Sequence, residues 1–252
     1  MISSYTNARL NGVRSLRDRS KARREKDAFV VEGIRAYKEI PEEDLLETYV
    51  SESFHKRYPS IKGEIVKEEV FKKLSDTTSP QGVLAVVRQK HYKLADLIKA
   101  ENGLFLVLEG IQDPGNLGTM LRSGEGAGVT ALIMDRKTAD IYSPKVVRST
   151  MGTIFRVPFI YTDDLRSTVE EMKKAGVRFY AAHLKGSKNY CDIEYAPKTA
   201  FMIGNEGNGL SDELTAMADE KLLIPMKGKV ESLNASVSAS IFMYKYAEKN
   251  YG

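Results

Sequence analysis

The sequence predicts an α/β protein whose larger C-terminal part contains a parallel sheet and whose N-terminal part is a smaller α/β unit. Two observations predict this fold. From residue 103 onward, short strands that are apolar throughout alternate with helical segments, which is typical of a parallel sheet covered on both faces. The 252 residues, 42% of them apolar, suffice for one large domain or two modest ones.

The N-terminal part begins with a basic helical segment. The elements that follow are predicted to be strand AFVVEG at 28–33, helix IRAYKEI at 34–40, strand ETYVSES at 47–53, a helix around KEEVFKKL at 67–74 and strand GVLAVVRQ at 82–89. A turn-rich segment and a polar segment lie on either side of the last strand. They place a boundary near residue 95, so we expect domains at 1–95 and 96–252.

The C-terminal part is predicted to contain six strands, with helices or loops between them. The strands are LFLVLEG at 104–110, TALIMD at 130–135, IFRVPFIY at 154–161, RFYAAHL at 178–184, TAFMIG at 199–204 and KLLIPM at 221–226. One helix illustrates the pattern. Asp163 or Asp164 can cap it, Leu165 and Val169 belong to its apolar stripe, and Gly176 ends it.

Residue usage excludes several classes of protein. The longest uninterrupted apolar stretches, such as Leu104 to Leu108, are far too short to span a bilayer, and the first 30 residues contain no apolar signal segment. We therefore expect a cytoplasmic protein without a membrane partner. One cysteine, Cys191, excludes an internal disulfide, and the three histidines lie far apart in the sequence, so we expect no metal.

Positive charge is concentrated at the front of the chain. Residues 1–40 hold ten Lys and Arg against five Asp and Glu, whereas the other 212 residues hold 28 against 29. Such a density suits contact with phosphates, although a solvated helical face explains the charge alone equally well. Eight of the ten basic residues fall close together: Arg9, Arg14, Arg17, Arg19, Lys21, Arg23, Arg24 and Lys26.

A glycine-rich stretch follows the strand at 104–110 but does not have the form of a phosphate cradle. The dinucleotide fingerprint needs its glycines in the turn between strand and helix. Here Gly124, Gly126 and Gly128 come about two helical turns later, spaced G-x-G-x-G, and no G-K-[ST] follows. These glycines fit the end or the tight packing of a helix. A nucleotide-dependent oxidoreductase is therefore disfavoured.

Three loops that each follow a strand carry polar residues beyond what folding requires. The first has Asn116, placed to cap a helix, and Arg122, which a helix would present near the same loop mouth. The second has Glu206 between glycines, and the third leads into a helix whose opening bears Ser232 and Asn234. Capping, an N-G turn and tight helix packing are the structural alternatives. Because ligands bind at the carboxyl ends of parallel strands, we expect these loops to share a site.

Together and in this order, the blocks DPGNLGTMLRSGEGAGV, FMIGNEGNGLS and LLIPMKGKVESLNASVS closely resemble the three motifs of the SpoU (TrmH) family of S-adenosylmethionine-dependent RNA ribose 2'-O-methyltransferases. The stretch YSPKVVRSTMGTIFRVPF also looks like that family. KARREKDAFVVEGIRAYKEI resembles the substrate-binding domain that many members carry in front. The resemblance covers nearly the whole chain.

The resemblance implies a SPOUT-class fold with a deep trefoil knot in the C-terminal parallel-sheet domain, an exception to the rule that chains avoid knots. It also implies a small N-terminal L30e-like α/β domain that binds RNA. S-adenosyl-L-methionine would be held, bent, mainly by backbone of the knotted loops. The implied cofactor-binding residues are Gly204, Ile224, Met226 and Leu233, and the implied reactive residues are Asn116, Arg122, Glu206, Ser232 and Asn234.

Methyl transfer to a ribose hydroxyl requires alignment of two atoms and activation of a very weak acid. Since a guanidinium is normally a donor and not a base, Arg122 is expected to hold the adjacent phosphate and stabilise oxyanion charge. Asn116 would orient Arg122 or the ribose, and Glu206 would position Arg122 or a motif loop, with a general-base role as the alternative. Ser232 and Asn234 would fix the cofactor and its loop. Water, a phosphate oxygen and a transiently neutral arginine all remain open as the proton acceptor.

The expected substrate is RNA, gripped by the basic front domain. Lys145 and Arg148, on a helix opened by Ser143 and Pro144, would add phosphate contacts. Members with such a front domain mostly act on ribosomal RNA, which favours ribosomal RNA over tRNA. A non-catalytic RNA-binding or ribosome-assembly protein is the alternative from another class, and the presence of all the matched reactive residues disfavours it.

The last helix is apolar on more than one face. Leu233, Val237 and Ile241 form one stripe, and a second stripe contains Ala239 and Phe242. One face can pack on the helix's own sheet. The other predicts a homodimer, as in family members, with a central helix of a monomer as the alternative.

Overall fold

A computed structural model describes residues 1–184 and 188–250 of the chain. Up to residue 97 the elements are α1 (Ala8–Asp18), α2 (Ser20–Lys26), β1 (Ala28–Glu32), α3 (Ile34–Lys38), β2 (Leu45–Ser51), α4 (Glu52–Arg57), β3 (Glu64–Val66), α5 (Glu68–Leu74), β4 (Val83–Arg88) and α6 (Leu94–Leu97). The predicted strands and helices of this part are present. Sequence reasoning missed α4 and β3, which are short.

From residue 103 strands alternate with helices. The elements are β5 (Gly103–Leu108), α7 (Pro114–Gly126), β6 (Ala131–Asp135), α8 (Pro144–Thr150), β7 (Phe159–Thr162), α9 (Leu165–Lys174), β8 (Arg178–Ala182), β9 (Lys188–Asn189), β10 (Lys198–Ile203), α10 (Asp212–Met217), β11 (Glu220–Leu223) and α11 (Ala235–Asn250). Single 3-10 turns occur at Glu42–Asp44, Thr153–Phe155 and Tyr190–Asp192.

The chain forms two compact units. Met1–Lys90 and Asp140–Phe155 make up the first, and His91–Ala139 and Arg156–Gly252 make up the second. The segment that carries α8 therefore belongs with the first unit although it follows β6 in the chain. The sequence predicts one boundary between two domains, near residue 95. That these domains fold separately stays a prediction.

A mixed four-stranded sheet organises the first unit, in the order β1-β4-β2-β3. Strand β4 is antiparallel to both β1 and β2, whereas β3 is parallel to β2. Helix α1 packs on this sheet through a stripe at three-residue spacing, Leu10, Val13 and Leu16. The polar face of α1 is thereby directed to solvent.

A seven-stranded sheet organises the second unit, in the order β7-β6-β5-β10-β8-β11-β9, and every pairing in it is parallel. This confirms the predicted parallel sheet. Strands β5, β6 and β10 are almost completely buried, which explains why they are apolar throughout. The loops after β5, β10 and β11, which carry the three motifs, all start at the carboxyl edge of this sheet. The knot that the resemblance implies stays a prediction.

Two predicted elements differ in their limits. The basic helix is broken at Arg19, whose backbone is extended, so that α1 and α2 are separate. The strand expected at 154–161 begins only at Phe159, because Pro158 lacks a backbone donor and a 3-10 turn precedes it. Asp164 caps α9 by accepting a hydrogen bond from the Ser167 N–H at 3.0 Å, as one of the two predicted caps.

The described residues also bear on membranes and metals. Within 1–184 and 188–250, none of the helices combines the length and the apolar character that crossing a bilayer requires. In the same ranges, His, Cys, Asp and Glu side chains do not gather in groups of three or more that could hold a metal ion.

Candidate functional site

The first motif begins at the N-terminus of α7. Asp113, and not Asn116, is the residue that caps this helix: its carboxylate accepts a hydrogen bond from the Asn116 N–H at 2.8 Å. Pro114 occupies the first turn, where its missing N–H is not needed. The sequence-based assignment of Asn116 as the cap is therefore wrong. An Asp-Pro pair before a helix was the signal for the correct cap.

Asn116 instead lies inside the first turn of α7, where it is only 8% exposed. Its Nδ2 donates to Glu206 Oε1 at 2.9 Å, and its Oδ1 accepts from Asn234 Nδ2, also at 2.9 Å. Because an ionised carboxylate can only accept, the contact with Glu206 fixes which end of the amide faces which partner. One side chain thus joins the second and third motifs to the first.

Glu206 holds the start of the first motif through hydrogen bonds. Besides Asn116, it accepts hydrogen bonds from the backbone N–H groups of Gln112 (3.3 Å) and Asp113 (3.2 Å). Partial burial alone would raise the pKa of this carboxyl, but the hydrogen bonds from Asn116, Asp113 and Gln112 outweigh it and lower the pKa below its ordinary value. Glu206 is therefore a carboxylate at neutral pH, committed to holding the loop before α7.

The second motif folds as a tight turn. The backbones of Asn205 and Gly209 exchange hydrogen bonds of 3.0 and 2.8 Å, and the Asn205 amide donates to the Gly110 carbonyl at 2.8 Å. A Cβ on Gly204 would lie 2.1 Å from the backbone carbon of Gly209, closer than any side chain allows. This contact explains why the motif requires glycine at 204. Sequence reasoning did not single out Asn205, which ties the second motif to the first.

The third motif ends in a capped helix. Asn234 Oδ1 accepts from the Ser236 N–H at 2.8 Å and the Ser236 hydroxyl at 2.6 Å, so Asn234 begins α11. The buried Ser236 hydroxyl also lies 3.3 Å from Asn116 Oδ1. Glu206, Asn116, Asn234 and Ser236 form one continuous hydrogen-bonded network. Sequence reasoning did not include Ser236 among the site residues.

Two predicted site residues stay outside this network. Arg122 is exposed on α7, and its guanidinium forms no hydrogen bond or ion pair with any residue in the described ranges. Ser232 is also exposed, and its hydroxyl has no partner within the part of the chain that the structure describes. Neither forms a hydrogen bond with Asn116 or Glu206. Arg122 is thus a cation available to a ligand.

The segment after β11 has the properties of a backbone-lined cradle. Ile224, Met226 and Leu233 are each partly exposed, as is Gly204 in the second motif. For residues 224–233, no backbone-to-backbone hydrogen bond with the described residues is found, so their N–H and C=O groups are available to a bound molecule. Apolar side chains beside unpaired backbone groups fit an adenosyl group with an amino-acid tail.

The basic residues at the front divide into two sets. Arg23 is 5% exposed and donates to the carbonyls of Leu16 (2.7 Å) and Arg17 (2.9 Å) and to Asp140 (2.7 Å). It therefore satisfies two backbone carbonyls at the end of α1, and we no longer expect it to contact RNA. Five others also have partners. Four of them contact acidic side chains, and Arg17 contacts a backbone carbonyl as well: Arg9 with Glu64, Arg17 with Asp18 and Leu74, Lys21 with Glu25, and Arg148 with Asp76. Arg14 donates to the side-chain amide oxygen of Asn11.

The remaining basic residues of the expected set are Arg19, Arg24, Lys26 and Lys145. All four are exposed, and their side chains have no hydrogen bond or ion pair with residues in the described ranges. Lys145 lies in α8, which begins at Pro144 after Ser143, as predicted. The exposed ion pairs of Arg9, Lys21 and Arg148 contribute little to stability, so these side chains remain able to exchange a carboxylate for a phosphate.

Comparison with known proteins identifies the family. Residues 103–244 match the model of the SpoU rRNA Methylase family, and residues 7–85 match the model of the MRM3-like substrate binding domain. The chain belongs to the SpoU methylase family. The three motifs joined by Asn116 all lie within the first match, and the basic residues of α1 and α2 lie within the second.

Individual members of the SpoU family resemble this chain over nearly its full length. A 23S rRNA (guanosine(2553)-2'-O)-methyltransferase of Bacillus subtilis, RlmP, is 32% identical over 96% of this chain and 97% of its own. The AdoMet-bound rRNA methyltransferase of Sinorhizobium meliloti superposes with a TM-score of 0.85 at 26% identity, covering 99% of this chain and 97% of the other. AviRb of Streptomyces viridochromogenes with AdoMet gives 0.85 at 25% identity, covering 98% and 99%.

Proposed function

We propose that this protein transfers a methyl group from S-adenosyl-L-methionine to a ribose 2'-hydroxyl of ribosomal RNA. The observation that carries the proposal is the network in which Asn116 joins Glu206 and Asn234. It draws together three loops from separate strands of one parallel sheet, at the edge where such sheets bind ligands. Membership of the SpoU family supplies the class of reaction.

The donor, S-adenosyl-L-methionine, supplies a methyl group on a positively charged sulfur. The residues proposed to hold it are Gly204, Ile224, Met226 and Leu233, through backbone groups and apolar contact. Gly204 contributes by letting the turn at 205–209 fold back closely. Asn234 fixes the start of α11 and so the end of the cofactor segment, and exposed Ser232 lies in that segment as a further contact.

Arg122 is proposed to act on the RNA. Its unpaired guanidinium can hold the phosphate beside the target nucleotide and stabilise negative charge that develops on the 2'-oxygen. Asn116 does not contact Arg122; its buried amide holds the loops together. Glu206 is already an acceptor for three N–H groups and has a lowered pKa, both of which oppose a general-base role.

The substrate is proposed to be ribosomal RNA, bound by the first unit. Exposed Arg19, Arg24, Lys26 and Lys145 are basic residues without competing partners among the described residues. Arg9, Arg17, Lys21 and Arg148, which form ion pairs, and Arg14 are further basic residues of the same unit. The relative RlmP is named as a 23S rRNA methyltransferase, which favours ribosomal RNA over tRNA. The site of action is then the cytoplasm.

A homodimer through α11 is part of the proposal. Ala239, Phe242 and Tyr246 are buried within the second unit, whereas Val237 on another face of the helix is 43% exposed. An apolar side chain left uncovered beside the methyl-transfer loops is suited to a second copy of the chain.

A direct assay tests the proposed activity. The purified protein is incubated with S-adenosylmethionine tritiated on its methyl group and with unmodified ribosomal RNA or tRNA transcripts, and labelled nucleotides are identified after alkaline hydrolysis, which leaves a dinucleotide at each 2'-O-methyl ribose. We expect label in such dinucleotides from ribosomal RNA. Label on a base, or exclusively in tRNA, would contradict the proposal.

A further inference from the structure

A cleft of about 470 Å³ lies along the polar face of α1 in the first unit. Four of its residues recur on one side of the helix, opposite the stripe that packs on the sheet. A fifth is the extended residue that ends the helix, and a sixth precedes the helix. The lining residues are Tyr5, Asn11, Arg14, Ser15, Asp18 and Arg19. The volume is within the range of small-ligand sites.

The floor of the cleft is a stacked pair. The Arg14 guanidinium carbon lies 3.9 Å from the centre of the Tyr5 ring, and the same ring packs against the core of the first unit. Arg14 also donates to the Asn11 amide oxygen. Tyr5 thus covers one face of the guanidinium, the Asn11 contact restrains its plane, and Arg14 lines the cleft. A flat cation held in this way is a platform on which a nucleobase stacks.

One wall of the cleft is an oriented carboxylate. Asp18 accepts from Arg17 Nε at 2.7 Å and from Arg17 Nη2 at 3.1 Å, one contact to each oxygen. Each oxygen keeps a further lone pair, and a carboxylate can only accept. Among the four bases of RNA, guanine alone presents two adjacent donors, N1–H and N2–H, on its Watson–Crick edge. An unpaired guanine therefore matches Asp18 with two parallel hydrogen bonds.

The remaining groups suit the rest of a nucleotide. The Arg19 guanidinium has no hydrogen bond or ion pair with the described residues, and neither has the Ser15 hydroxyl. An unpaired arginine at the rim is suited to a phosphate, and a hydroxyl can bond a ribose or a phosphate oxygen. The cleft thus offers a stacking face, an acceptor pair and a cation.

We propose that this cleft binds one unpaired guanine nucleotide of the RNA substrate, with the base stacked on Arg14, its Watson–Crick edge on Asp18 and its phosphate on Arg19. The proposal rests on the proposed function, since it takes RNA to be the substrate. It adds a subsite that reads a base, whereas the basic residues around it contact the phosphate backbone without regard to sequence.

Fluorescence anisotropy with the full-length protein tests this subsite. The probes are fluorescein-labelled pentaribonucleotides UUGUU, UUAUU and UUUUU, so that only the central base differs. We expect the wild type to bind UUGUU about fivefold or more tighter than the other two. Arg14→Lys keeps the charge but loses the flat stacking face, and it should weaken UUGUU binding about fivefold while changing UUUUU binding less than about twofold.

Three further variants distinguish recognition of the base from the effects of charge and of folding. Asp18→Asn replaces one acceptor oxygen by a donor and should reduce the preference for UUGUU over UUAUU to about one. Lys21→Ala, on α2 outside the cleft, should weaken all three probes equally. Thermal unfolding of each variant shows whether the protein is folded, and Arg17→Lys reports any effect that comes from releasing Asp18.

Each outcome has one meaning. Equal affinity of the wild type for the three probes, or an equal loss by Arg14→Lys on all of them, overturns the subsite, as does the absence of binding. The binding assay needs neither cofactor nor turnover. Methyl transfer without a guanine preference would therefore refute the subsite alone, and a guanine preference without methyl transfer would refute the proposed activity alone.

Discussion

At the scale of single residues, Arg122 and Asn116 have opposite environments although both lie in the first motif. Asn116 is buried and fully engaged, whereas Arg122 is exposed and has no partner among the described residues. A group that must bind and release a substrate needs free hydrogen-bonding capacity. A group that holds loops together needs its hydrogen bonds satisfied within the protein. This difference supports the proposed direct role of Arg122 and the proposed positioning role of Asn116.

Replacement of Arg122 tests that assignment. In Arg122→Ala we expect kcat for methyl transfer to fall at least about 100-fold, because charge on the 2'-oxygen loses its donor, while the Kd for S-adenosylmethionine changes less than about twofold. Tritium transfer measures the first quantity and isothermal titration the second. Arg122→Lys is the matched control, since it keeps the charge without the fork and should be intermediate. Full turnover by Arg122→Ala would remove this residue from the mechanism.

The sequence predicted which residues share a site better than it predicted their contacts. It identified Asn116, Glu206 and Asn234 as residues of one site, because each follows a strand of a predicted parallel sheet. It could not show that Asn116 lies one turn inside α7 with its amide between the other two, since that arrangement depends on how three distant loops pack. For the same reason, it could not separate buried Arg23 from exposed Arg24.

At the scale of elements, Glu206 fastens the loop after β10 to the start of α7. Its hydrogen bonds favour the carboxylate, so its pKa is lower in the folded protein than in the unfolded chain. A group of this kind stabilises the fold above its unfolded pKa, and the contribution is lost as the pH falls through the folded value. The hydrogen bonds of Glu206 are therefore complete at neutral pH, and we expect them to weaken in acid.

Glu206→Gln should expose this dependence. At pH 7 we expect a Tm about 2–4 °C below that of the wild type, from the loss of ~1 kcal/mol of charge-assisted hydrogen bonding. As the pH falls below the ordinary value of 4.5 and through the lowered pKa of the folded protein, the wild type loses these hydrogen bonds, and the difference in Tm should shrink toward zero. Calorimetry from about pH 7 to about pH 3 measures it. A constant difference would show that the carboxylate charge is not involved.

Strands that are buried on both faces of the sheet were predicted correctly. Strands β5, β6 and β10 are apolar throughout because helices cover both faces, and each was predicted within a residue or two. Prediction was poorest where short elements depend on neighbours. Strand β3 has three residues and is recognisable only through its pairing with β2, and the break at Arg19 depends on Arg23 satisfying the carbonyls that end α1.

At the scale of the whole molecule, the sequence predicted two α/β parts but not their composition. The segment Asp140–Phe155 belongs with the first unit because of contacts such as the Arg148–Asp76 ion pair at 2.6 Å, which joins residues far apart in the chain. Changes in composition along a sequence cannot reveal that a segment from one part of the chain packs with another part. The family matches at 7–85 and 103–244 are likewise continuous in sequence.

The proposed homodimer makes a prediction about mass in solution. Light scattering should give twice 28.2 kDa for the wild type. Val237→Glu places a charge on the uncovered face of α11 and should give a monomer with strongly reduced transfer, because burying an unpaired carboxylate opposes association. Lys174→Glu, at an exposed position of α9, is the control and should stay dimeric. A monomeric wild type with full activity would refute the dimer.

We propose that three loops, held together by one hydrogen-bonded network, form the site that methylates a ribose 2'-hydroxyl in ribosomal RNA. The most direct measurement is a map of 2'-O-methyl nucleotides in ribosomal RNA from cells with the gene, cells lacking it, and cells lacking it that express Arg122→Ala. We expect one site of methylation that disappears on deletion and is not restored by Arg122→Ala. An unchanged map after deletion, or restoration by Arg122→Ala, would contradict it.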